Sequence, residues 1–76
     1  MVARHLPRRW PLRHVRAAAI GYPATARQLE HAIRAAADNG AQRLDIARHA
    51  IAFAPEAHKQ DAHDLARRTL WTETSR

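Results

Sequence analysis

Six histidines have the widest chemical repertoire in this 76-residue chain, and their spacing decides what they can do. His58, Asp61 and His63, in the run HKQDAHD, are the densest group of metal-ligating types. On a helix His58 and Asp61 share a face, but His63 is five positions from His58, about 140° round the axis, and points elsewhere. Helical zinc sites place two histidines at i,i+4, a spacing that no histidine pair here has. The expectation is solvent-facing histidines and no metal. Asp45 and His49 do lie at i,i+4, where a carboxylate could orient an imidazole base. No nucleophile accompanies them, because Ser75, the only serine, falls in a stretch expected to fray. Two glycines cannot build a phosphate-cradling loop. No catalytic residue, no cofactor and no small-molecule substrate is therefore expected of this chain on its own.

The arginines carry a different chemistry. Residues 1–27 hold Arg4, Arg8, Arg9, Arg13, Arg16 and Arg27 and no acid, whereas in residues 28–76 seven cations balance seven carboxylates. The whole net charge of +6 thus belongs to the first third of the chain. Arg4, Arg8, Arg9, Arg13 and Arg16 could grip phosphates while Trp10 stacks on a base, the combination used by single-stranded nucleic-acid binders. Twelve arginines to one lysine, with eighteen alanines, also match the coding bias of a high-GC bacterial genome, which weakens the argument from arginine number alone. The apolar stretch from Ala17 to Ile20 is too short for a secretory signal. No apolar run approaches the roughly 20 residues of a membrane span, and the lack of cysteine excludes disulfide or Cys-zinc scaffolds. A cytoplasmic protein is expected.

The elements that must position these residues read as helices. Pro7 and Pro11 argue for an extended or disordered start through residue 11. Leu12 to Ile20 can form a short helix that is marginal unless docked. Thr25 with Gln28 three residues on has the form of a capping box, opening a helix over 26–38 with a Glu30/Arg34 pair at i,i+4. Asn39-Gly40 suits a left-handed helix end. A second helix is expected over 41–53, stopped by Pro55, and a third over 56–71. The fold class is all-α: a three-helix body, consisting of a helical hairpin and a third helix over 25–76, behind a disordered or partly helical basic arm over 1–24.

From residue 28 onward only nine large apolar residues serve that body over 49 positions, so its core is thin. A partner would supply the missing burial, either a second copy or a larger protein. Leu44, Ile51, Phe53, Leu65, Leu70 and Trp71 are expected to divide between the internal core and that interface.

The residues around the second and third helices resemble a known helical architecture. Ala50-Ile51-Ala52-Phe53-Ala54-Pro55 looks like the end of a tetratricopeptide second helix, although the Trp-Leu-Gly-Tyr half of that pattern is missing. Over about residues 36–75, a longer set is similar to the helical dimerisation region of alkyl-sulfatase-type, metallo-β-lactamase-fold hydrolases. It comprises Asn39-Gly40 to Leu44, Ala52 to His58, Ala62, Ala66, Arg68 and Glu73-Thr74-Ser75. The resemblance implies an interface role. The family's zinc ligands would lie in a separate N-terminal domain, in an HxHxDH motif that this chain does not contain, so none of its catalytic residues carries over.

Overall fold

In the computed structural model, residues 9–72 are described, with side chains over 12–71. The order is α1 (Arg9–Ile20), α2 (Ala26–Asp38), α3 (Arg43–Phe53), a 3-10 turn (Glu56–His58), α4 (Lys59–Arg67) and a π-helical turn (Arg68–Thr72). The expected all-α class holds. α1 packs on both α2 and α3, α4 packs on α3, and the terminal π turn returns to α2.

The largest difference from expectation is the role of α1. It begins at Arg9, earlier than its prolines suggest, because Pro11 falls in the first turn, where backbone N–H groups have no intrahelical acceptor to lose. Leu12, Val15, Ala18 and Ala19 then face inward, and Val15 and Ala19 are fully buried. The helix is docked, which removes the marginality of an isolated segment of this length. The packing of α1 on α2 and α3 runs across residue 24.

α2 occupies 26–38 as its periodicity predicts, burying Leu29, Ala32, Ile33 and Ala36. Its end is a Schellman motif: the Ala41 N–H donates to the Ala36 carbonyl and the Gly40 N–H to Ala37. Gly40 takes the left-handed position with φ of 95°, while Asn39 stays at φ −92° and uses its amide to donate to the Ala35 carbonyl. The Glu30–Arg34 ion pair forms at 3.1 Å on the exposed side. The expected capping box does not form. The Thr25 hydroxyl donates instead to the Ala18 carbonyl and makes no cap bond to α2. A tertiary acceptor wins over the local one and ties the start of α2 to α1. Gly21 permits this approach, since a Cβ there would lie 2.9 Å from the Thr25 methyl.

α3 starts at Arg43, two residues later than expected, and buries Ile46, Ala47 and Ala50. The expected third helix over 56–71 is divided. It opens as a 3-10 turn, runs as α4, and widens into a π turn where the Thr69 hydroxyl donates to the Leu65 carbonyl. Such back-bonding competes with the backbone ladder. Asp64 accepts from the Gln60 amide at 3.3 Å.

The one lysine of the chain closes α3. Lys59 Nζ donates to the carbonyls of Ile51, Ala52 and Ala54 at 2.8, 3.3 and 3.2 Å. These are among the carbonyls that a helix end leaves without intrahelical donors, at the negative end of its dipole. Lys59→Met keeps most of the stem and removes all three donors, and is expected to cost about 1–2 kcal/mol in urea unfolding. Lys59→Arg should recover only part of this, because a planar fork cannot converge on three carbonyls as an ammonium does. Unchanged stability in Lys59→Met would contradict this capping role.

Candidate interaction surface

The six residues expected to divide between core and interface differ in exposure. Leu65 and Leu70 are buried in the core. Leu44 is 61% exposed, Phe53 and Trp71 are each 39% exposed, and Ile51 is partly buried. Ile20 is a further exposed large apolar residue that sequence reasoning left unassigned. The exposed members sit on two flanks of α3.

Leu44 lies in the first turn of α3, immediately after the Schellman turn that reverses the chain. Ile51 is seven positions later and so within about 20° of the same direction. Trp71 arrives from the terminal π turn, and it lines one concavity together with Ala37, Gly40, Ala41 and Leu44. Gln42 and Arg43 supply its polar rim. Two of the chain's larger apolar side chains, distant in sequence, thus share one open depression.

Phe53 occupies the other flank. It lies nine positions from Leu44, half a turn round the helix and about 13–14 Å along it. The Arg16 guanidinium is placed over the Phe53 ring, 5.5 Å from its centroid, and the His49 ring lies 5.9 Å away. Phe53 therefore joins α1 to α3 as well as meeting solvent. One turn beyond, the Tyr22 and His58 rings meet edge to face at 6.2 Å, linking the α1–α2 turn to the 3-10 turn.

The other candidates are placed as follows. His49 Nδ1 lies 3.0 Å from the Asp45 backbone carbonyl, so its partner is the main chain and not the carboxylate. Among the described residues, no group of three or more His, Cys, Asp or Glu side chains is placed to hold a metal. Arg4 and Arg8 lie outside the described residues, and Arg9 and Trp10 occupy the first turn of α1, where only the backbone is described. Arg13 and Arg16 are exposed on α1. No described helix is long and apolar enough to cross a membrane.

Sequence reasoning missed the Arg16–Phe53 contact because its partners are 37 positions apart and no local pattern connects them. Compared with known proteins, the chain matches no family model, no curated protein and no solved structure.

The Arg16–Phe53 contact is exposed, so its contribution is expected to be about 0.5–1 kcal/mol. Arg16→Gln should lower stability by that amount in wild-type background and by close to zero in a Phe53→Leu background. Equal losses in both backgrounds would show that the ring does not hold the guanidinium.

Proposed function

We propose that this protein is a non-catalytic helical interaction module that self-associates through the edge formed by Leu44, Ile51 and Trp71. The observation that carries the reading is the exposure of Leu44 and Trp71 in one concavity. A chain with so few large apolar residues gains most by burying them, yet here two remain partly exposed in one depression, flanked by small residues and an arginine. Apolar anchors inside a polar rim are the usual anatomy of a protein interface.

The resemblance of residues 36–75 to the dimerisation region of alkyl-sulfatase-type hydrolases supports the same reading. On that basis the helical stretch would serve as an assembly surface, with any zinc chemistry belonging to residues this chain does not contain. Small residues around the two anchors, Ala37, Gly40 and Ala41, would let a second copy approach closely.

Sedimentation across the micromolar range is expected to show reversible association of the wild type. Leu44→Glu should give a monomer with an unchanged helical spectrum. In a symmetric dimer each substitution acts twice, and at about 1.5–3 kcal/mol per buried leucine the dissociation constant should rise at least about 100-fold. A wild type that stays monomeric to roughly 100 μM, a concentration corresponding to weak transient association, would refute self-association.

A further inference from the structure

A second surface lies between α1 and α2, on the side of the bundle where the Thr25–Ala18 tie closes the helix pair, and shares no lining residue with the Leu44–Trp71 concavity. Its floor is made by the methyl groups of Ala18, Ala32 and Ala35, and its rim carries His14, Arg27 and His31. No carboxylate lines it. Arg27 and His31 are exposed, sit at i,i+4 on one face of α2, and make no hydrogen bond or ion pair among the described residues. Arg34, seven positions from Arg27 and so on nearly the same side of α2, is instead held by Glu30 at 3.1 Å.

We propose that this α1–α2 groove is a docking site for an acidic amphipathic helix of another protein. On the α2 side the lining runs from Arg27 to Asn39, about 18 Å along the helix axis, which accommodates roughly three turns of a partner helix. Alanine methyls beneath it allow close backbone approach without filling the space. An Asp or Glu pair at i,i+4 on the partner would lie opposite Arg27, which supplies the complementary charge, and His31, whose ring N–H can donate to the second carboxylate, so the rim selects an acidic ligand and sets its register. The acidic helix α4 of a second copy does not fit. The acids of this chain's α4, Asp61 and Asp64, stand on an exposed face with Gln60 and Arg67, while its apolar residues Ala62, Leu65 and Ala66 are committed to its own core. That helix offers no apolar ridge to the alanine floor.

The test uses the full chain and fluorescein-labelled, helix-stapled 18-residue peptides with an alanine ridge flanked by glutamates at i,i+4. The controls are the same peptide with lysine for every glutamate, and a labelled thymidylate 20-mer. The glutamate peptide is expected to bind at least about tenfold more tightly than either control, and the double substitution Arg27→Glu/His31→Glu should weaken it by about tenfold or more. Ala35→Trp, which fills the floor at an exposed position, should also weaken it, whereas Leu44→Glu should leave it unchanged. Circular dichroism of each variant checks that the helices persist, and Arg27→Gln provides a milder change if the reversal unfolds the chain. Equal binding of the glutamate and lysine peptides would overturn the proposal, as would binding insensitive to all groove variants. Loss of binding in Leu44→Glu would move the site to the self-association edge. Preference for the oligonucleotide would assign the groove to nucleic acid instead.

Discussion

A helix whose inner face is mostly alanine buries little surface per residue, and gains stability only where another helix backbone lies close against it. Nine of the sixteen buried apolar residues among those described are alanines, so close approach on several sides has to replace bulk. This requirement accounts for the place of α1. Ala32 and Ala36 of α2, and Ala47 and Ala50 of α3, form surfaces too shallow to close on each other, and the larger residues Leu12 and Val15 fill what remains. A hairpin of α2 and α3 with α4 would leave that side of Ile33 and Ile46 short of cover. The basic helix is thus held in the fold by its inner face, while its charge occupies the outer one.

Close approach of short helices also leaves their ends crowded, and the polar contacts are concentrated there. Thr25 reaches across to the Ala18 carbonyl, Lys59 gathers three carbonyls at the end of α3, and Asn39 with Gly40 completes the end of α2. Each satisfies backbone groups that a buried helix end would otherwise leave without partners. The interaction surfaces lie where these joints and the alanine faces run out. Leu44 follows the α2 turn directly, and the α1–α2 groove opens beside the Thr25 tie.

Local signals in the amino-acid sequence were sufficient wherever the competing interactions were also local. The periodic run Leu29, Ala32, Ile33, Ala36 placed α2, Asn39-Gly40 placed its end, and Pro55 placed the end of α3. The reading of Thr25 as a capping-box residue failed because a tertiary acceptor, seven positions back, captured its hydroxyl. The expected extended start does not hold at residues 9–11, because a first-turn proline and an interior proline look alike until the boundary is known; residues 1–8 lie outside the described residues. The inward spacing of Leu12, Val15 and Ala19 was present, but arginines around it directed attention to charge. Leu65 and Leu44 are both leucines at helical spacing. Only the packing of α4 on α3 and of the π turn on α2 separates the one in the core from the one in water. The groove residues Arg27 and His31 carried no local signal beyond their i,i+4 spacing.

α1 is an integral part of the core even though its outer face carries Arg13 and Arg16. Native-state hydrogen exchange, followed amide by amide at fixed protein concentration, tests it most directly. Amides of Arg16 to Ala19 should open with the same free energy as those of Ile33 and Ile46, within about 0.5 kcal/mol, because all are released only by global unfolding. Exchange from α1 at a free energy several kcal/mol lower, while α2 and α3 stay protected, would contradict the account and show the basic helix to be an appendage.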